Sequence, residues 1–169
     1  VNFSVIYGKT AFTLARDLKK TVKEAQAFID AYFREFSGVK RFIDRTIAQA
    51  KAQGYVSTLS GRRRPVPFLA SPNPAQRAAA ERVAVNTVIQ GTAADLMKIA
   101  MIRVDAALKA ARSPARILLQ IHDELVLNVP QKAEEEARRI VVDAMASAMT
   151  LAVPLVVNTA SGETWRAAA

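Results

Sequence analysis

Apolar side chains recur every three or four residues through most of this chain and every second residue in short stretches, so helices should dominate over strands. Thr10 is placed to cap a short helix through Leu18. Val22, Ala25, Ile29, Tyr32 and Phe36 then form a helical stripe, with Ser37-Gly38 as its break. Ser37 is expected to cap a second helix carrying Val39, Phe42, Ile43, Ile47 and Ala50 and stopping before Gly54. The pattern changes at Tyr55-Val56-Ser57-Thr58-Leu59, which is strand-like, and Ser60-Gly61 is a turn. A short hairpin or ordered loop follows, with a boundary near Ser71-Pro72. Asn73-Pro74 supplies a cap residue and a proline at the first helical position, so a long helix should run to about Ala111, with Gly91 as a candidate kink. Ile117, Leu119 and Ile121 alternate, as do Leu125, Leu127 and Val129, around the polar triplet His122-Asp123-Glu124. That is a hairpin with carboxylates at its tip. Gln131 to Leu151 returns to helix, and Pro154 to Thr159 offers a last strand. Helices first, then a small antiparallel sheet packed on long helices, define an α+β class.

Composition narrows the partner. The chain has 169 residues, is 51% hydrophobic and carries a formal charge of +9, which favours a polyanion. The charge is uneven: 13 basic and 5 acidic groups lie in residues 1–69, 7 and 3 in residues 70–116, and 4 and 7 in residues 117–169. A basic front with an acidic end suits phosphates on one side and a cation site on the other, although a merely basic soluble domain has the same balance. With no cysteine, disulfides and thiolate metal sites are excluded. No apolar run reaches the roughly 20 residues of a membrane span. The chain begins at Val1-Asn2-Phe3, without an initiator Met, which reads as a cut inside something longer.

Four features carry possible chemistry. Asp123 and Glu124, at a turn projected by apolar strands, suit a hard cation such as Mg²⁺, which takes one or two carboxylates plus substrate phosphates; an ordinary solvated turn is the alternative. With His122 as the single histidine, a zinc site lacks nitrogen and sulfur ligands. Arg82, Asn86 and Gln90 share one helical face and are donors for the minor-groove acceptors common to all Watson–Crick pairs; a solvated face has the same spacing. Gln120 and His122 alternate onto one strand face and could extend that set. Arg62-Arg63-Arg64 beside Gly61 reads as a phosphate contact or a solvated loop. Phe3 and Tyr7, four residues apart, form either a stacking platform for a base or part of a core.

Taken together and in order, these features resemble family A DNA polymerases over essentially the whole chain. Asn2-Phe3-x-x-Ile6-Tyr7-Gly8 is similar to the end of that family's nucleotide-binding fingers helix, and Glu81-Arg82, Asn86 and Gln90-Gly91-Thr92-Ala93-Ala94-Asp95 to its palm helix. Gln120-Ile121-His122-Asp123-Glu124 is similar to its third catalytic motif; Gly54-Tyr55-Val56, Gly61-Arg62-Arg63 and Gly162-Glu163-x-Trp165 also fit. Ser4 stands where the family most often has Gly.

The resemblance implies template-directed DNA synthesis with primer-template DNA and dNTP as partners, two Mg²⁺ ions and a cytoplasmic, nucleoid-associated location without membrane contact. Residues 1–72 would be the back of the fingers and 73–169 the second half of the palm. Asp123 would be a catalytic metal ligand and Glu124 an auxiliary acid. Phe3 and Tyr7 would border the incoming nucleotide and the templating position. Arg62, Arg63, Arg82, Asn86, Gln90, Gln120 and His122 would contact DNA. The family's first catalytic carboxylate motif and its triphosphate-gripping Arg and Lys are absent from the 169 residues, as is the thumb. The remainder of a polymerase chain is therefore an expected partner, and the isolated chain is expected to be inactive. A nucleic-acid-binding module without chemistry is the competing reading; a single-metal phosphodiesterase would need further acidic ligands.

Overall fold

The computed structural model describes residues 5–168. Val5 and Ile6 are helical and lead through Tyr7-Gly8 into α1 (Ala11–Leu18), α2 (Val22–Glu35) and α3 (Ser37–Gln53). An antiparallel pair, β1 (Tyr55–Ser57) and β2 (Arg63–Pro65), precedes the long α4 (Pro74–Ala110). Next come β3 (Arg116–Ile121), β4 (Glu124–Asn128), a 3₁₀ turn (Gln131–Ala133), α5 (Glu134–Ala146) and the one-turn α6 (Trp165–Ala168). The chain forms two compact units, Val1–Thr92 and Ala93–Ala169. The class is α+β, with two small antiparallel sheets among the described residues.

In the first unit the helix ends follow from local chemistry. The Thr10 hydroxyl accepts from the Thr13 amide at the start of α1. Thr21 and Glu24 form a capping box: the Thr21 hydroxyl accepts from the Glu24 amide at 3.2 Å, and the Glu24 carboxylate accepts from the Thr21 amide at 2.9 Å. Gly54 ends α3 in the left-handed region at φ +78, where a side chain is strained. Ser37 does not cap α3 as expected. Phe36 occupies the cap position with φ −97 and ψ 53, and Ser37 is already helical, its hydroxyl accepting from Arg41. The helix breaks one residue earlier than Ser-Gly suggests.

Two apolar clusters hold this unit. Val5, Leu14, Ala15 and Ala25 are buried, with Ile29, Tyr32 and Phe33 against them. Burying Leu14, 1% exposed, contributes about 1.5–3 kcal/mol. The second cluster joins Ala50 of α3, Val56 and Val66 of the first hairpin, Leu69, and Ala80 and Ala84 of α4. Its alanines let the hairpin pack close to both helices, and Lys51 of α3 pairs with Glu81 of α4 at 2.6 Å.

Asn73 starts α4 as expected, its side-chain oxygen accepting from the Ala75 amide at 2.9 Å. The helix runs through Gly91 without a break.

In the second unit Val104, Leu108, Ala115, Ala137, Val141 and Ala144 form the core, with Ile117, Leu125, Leu127 and Val129 of the second hairpin against it. The hairpin carries a bulge. Ile117 pairs with Leu127 and Leu119 with Val126, leaving Leu118 as the extra residue. One inserted residue reverses which face each side chain takes, so Ile117 shares its face with Gln120, and Leu119 shares the other with Ile121. The simple alternation read from the sequence is corrected on this point.

The strand expected at Pro154 to Thr159 does not form. That segment has no regular secondary structure. Its end is tied to α5 through Arg138, which donates to the Thr159 hydroxyl at 2.6 Å and the Ser161 hydroxyl at 3.3 Å. Hydrogen bonds from Ser161 and then Arg138 hold the Glu134 carboxyl below its usual range. Among the described residues no helix is long and apolar enough to cross a membrane.

Candidate functional site

Each unit presents one candidate surface. In the first, Arg82 and Asn86 of α4 line a cleft of about 450 Å³ together with Tyr7, Gly8, Gln26, Lys40 and Glu81. Apolar walls come from Val5, Ile29, Phe33, Ile43, Ile47 and Val85. Gly8 sits at φ +83, and a Cβ built on it would lie 2.9 Å from Cγ of Arg82, so the turn and the arginine stem touch without room for a side chain. The side-chain oxygen of Asn86 is buried and has no hydrogen-bond partner. An unpaired buried acceptor costs about 1–3 kcal/mol. The structure thus brings Tyr7, Arg82 and Asn86 together. Gln90, one turn further along α4, is exposed and outside the cleft. Phe3 and Asn2 lie outside the described residues.

The arginine run of the first hairpin is engaged within the unit. Arg62 donates to the Gly91 carbonyl at 3.1 Å, and Arg64 to the Thr87 hydroxyl at 2.9 Å. Arg63 stacks over the Tyr55 ring, 4.8 Å from its centre, a cation–π contact. Local sequence gave no signal for these partners. The same holds for Gln26 and Lys40, which reach the cleft from α2 and α3.

In the second unit the tip of the second hairpin is a two-residue turn, His122-Asp123, with Ile121 paired to Glu124 across it. Glu124 is therefore the first residue of β4 and not part of the turn itself. His122 adopts φ +53, a region where His is enriched among non-glycine residues. Gln120 donates to the His122 carbonyl at 2.5 Å and braces the turn. Gln120, His122, Asp123 and Glu124 are all exposed. Two adjacent exposed carboxylates fit part of the ligand set of a hard cation. Among the described residues no group of three or more acidic or histidine side chains completes such a set.

The sequence profile of DNA polymerase family A matches residues 1–167. The chain belongs to DNA polymerase family A. Among similar family A sequences, DNA polymerase I of Bacillus caldotenax is 48% identical over 165 residues, covering 98% of this chain and 19% of that protein. The thermostable DNA polymerase I of Thermus filiformis is 50% identical over 165 residues, covering 98% of this chain and 20% of that protein. The chain thus spans about one fifth of the length of these relatives. The solved POL domain of Pol1 from M. smegmatis, in complex with DNA primer-template and dNTP, matches with a TM-score of 0.95 and 44% identity, over 99% of this chain and 30% of that one.

Proposed function

We propose that this chain is part of a longer DNA-directed DNA polymerase that adds dNMP to a primer 3′-hydroxyl under template direction. The observation that carries the reading is the match, at 44% identity and a TM-score of 0.95, to a polymerase domain solved with primer-template and dNTP. Residues 1–72 are then the back of the fingers, and residues 73–169 the second half of the palm. The remaining fingers, palm and thumb are the partners that complete the site. The location that suits this reading is the bacterial cytoplasm, on the nucleoid.

In the reaction the primer oxygen forms a bond to the α-phosphorus of the dNTP, the bond to the β-phosphate oxygen breaks, and pyrophosphate leaves with loss of the hydroxyl proton. Family A DNA polymerases are metal-dependent. A pair of Mg²⁺ ions, when bound, supplies activation of the 3′-hydroxyl and stabilisation of charge on the attacking and leaving oxygens. Asp123 is the ligand this chain contributes, with Glu124 as an auxiliary acid beside it. Gln120 and His122 lie toward the primer terminus. Arg82, Asn86 and Gln90 meet the minor groove of the nascent duplex, where donors test pair geometry without reading sequence. Phe3 borders the incoming sugar, and Tyr7 the templating position. Arg62 and Arg63 face phosphates, as the basic front of the chain suggests.

Asp123→Asn in the full-length polymerase tests this reading. It keeps size and turn propensity and removes the charge, so single-turnover incorporation should fall on the order of 10³-fold or more, while melting and primer-template affinity hold. A fall of less than about tenfold with the fold intact would reduce Asp123 to a turn residue.

A further inference from the structure

Gly91 lies inside an unbroken helix. Alanine is the better helix former there, so helix propensity alone argues against glycine and the reason must be space. A Cβ built on Gly91 would lie 2.8 Å from the methyl carbon of Thr58, closer than real Cβ atoms approach, with the flexible Arg62 guanidinium at 3.4 Å and the Thr87 methyl at 3.7 Å. Thr58 is 5% exposed and cannot swing aside cheaply. Its hydroxyl accepts from the Arg62 amide at 3.1 Å and shares a hydrogen bond with Ser60 at 3.1 Å, and its amide donates to the Arg62 carbonyl at 2.9 Å. The turn 58–62 is thus a stiff unit, and it seats on α4 at this one place. The Leu59 amide donates to the Thr92 hydroxyl at 3.0 Å, and that hydroxyl donates onward to the Val88 carbonyl at 2.5 Å. Arg62 closes the seat on the Gly91 carbonyl.

The seat has a consequence for the neighbouring residues. Thr87 and Gly91 form one row along α4, four residues apart, and Asn86 and Gln90 form the adjacent row, one residue back. The turn therefore flanks the polar row. We propose that Gly91 is a positioning residue for duplex recognition: by presenting no side chain to Thr58, it lets the turn 58–62 seat beside Gln90 and fix the helical turn that carries it. This rests on reading Arg82, Asn86 and Gln90 as the DNA-facing row.

The test uses four variants of the full-length polymerase: Gly91→Ala, Thr58→Ser, the two combined, and Gln90→Ala. Thr58→Ser deletes the methyl that Gly91→Ala would strike and keeps the hydroxyl bonds. Primer-template affinity, the ratio of extension from matched and mismatched primer ends, and melting are measured for each. Gly91→Ala should weaken affinity and matched-end selectivity about ten- to a hundredfold, the cost expected when a contact is displaced by about an ångström. Thr58→Ser alone should leave both near wild type, and the combined variant should recover both. An effective Gln90→Ala beside a Gly91→Ala that is neutral, or that Thr58→Ser does not rescue, overturns the inference alone. A neutral Gln90→Ala overturns the DNA-facing row and the inference with it. If Gly91→Ala fails to fold, the combined variant decides: melting and selectivity recovered together support the seat, and melting recovered without selectivity overturns it.

Discussion

The two hairpins of this chain use charge in opposite ways. In the first, the turn and β2 carry three consecutive arginines, and each has a partner inside its own unit: a helix carbonyl for Arg62, an aromatic face for Arg63 and a threonine hydroxyl for Arg64. In the second, β3 and β4 carry Asp123 and Glu124 to an exposed tip, and the neighbouring Gln120 binds the turn backbone and leaves both carboxylates alone. Arg62 and Arg64 attach the first hairpin to a helix, and Arg63 folds back on that hairpin's own Tyr55. The other leaves its charges exposed at the tip of a braced turn. A charged cluster near a turn is thus a site candidate only after its internal partners are known.

Paired variants in the full-length polymerase should separate the two hairpins most widely. Asp123→Asn is expected to remove chemistry on the order of 10³-fold and leave folding intact. Arg64→Ala is expected to do the reverse at the first hairpin. It leaves the Thr87 hydroxyl, on a residue 5% exposed, without its donor, a loss of about 1–3 kcal/mol. Hydrogen exchange of the amides in residues 55–66 should then accelerate about tenfold or more. Exchange as slow as in the parent would show that Arg64 does not anchor the hairpin.

A smaller effect separates two arginines of the same run. Both side chains are exposed, but that of Arg63 lies over the Tyr55 face, whereas that of Arg64 is committed to the Thr87 hydroxyl. If Arg63 also meets a phosphate, Arg63→Ala should lower the slope of log affinity against log salt by about 0.9, and Arg64→Ala should leave that slope unchanged. Equal slopes for both variants would remove the distinction drawn between them.

What was legible in the sequence follows the same division. Helix stripes, the Asn73 cap and the left-handed stop at Gly54 depend on neighbours within a few residues, and the structure agrees with them. The carboxylate tip was legible because apolar strands on both sides leave a polar triplet nowhere but the turn. The bulge at Leu118 was hidden, since Ile117, Leu119 and Ile121 look like clean alternation until a partner strand assigns the register. Leu155, Val156 and Val157 have strand propensity and no strand to pair with, so propensity misled. The partners of Arg62 and Arg64 lie 29 and 23 residues away, beyond any local pattern.

The smallest expected effect concerns an exposed carboxylate that, unlike Asp123, is used within its own unit. Glu24 accepts from the Thr21 amide and hydroxyl in the capping box of α2. Those hydrogen bonds, first from the backbone and then from the hydroxyl, hold its carboxyl below the ordinary value of 4.5. A depressed folded pKa means that the folded state favours the charged form. The contribution is therefore complete above the unfolded value and is lost as pH falls through the folded one. Glu24→Ala should weaken protection of the first-turn amides of α2 from hydrogen exchange at neutral pH, and the gap to the parent should close as pH drops well below 4.5. The effect should be small, because the pair is exposed and screened by solvent. Exchange measured at both pH values, corrected for the intrinsic pH dependence of the chemistry, decides the matter. A gap that persists unchanged into acid would mean that Glu24 acts through its size or helix propensity, and that its charge, like that of Asp123, is not engaged by the fold.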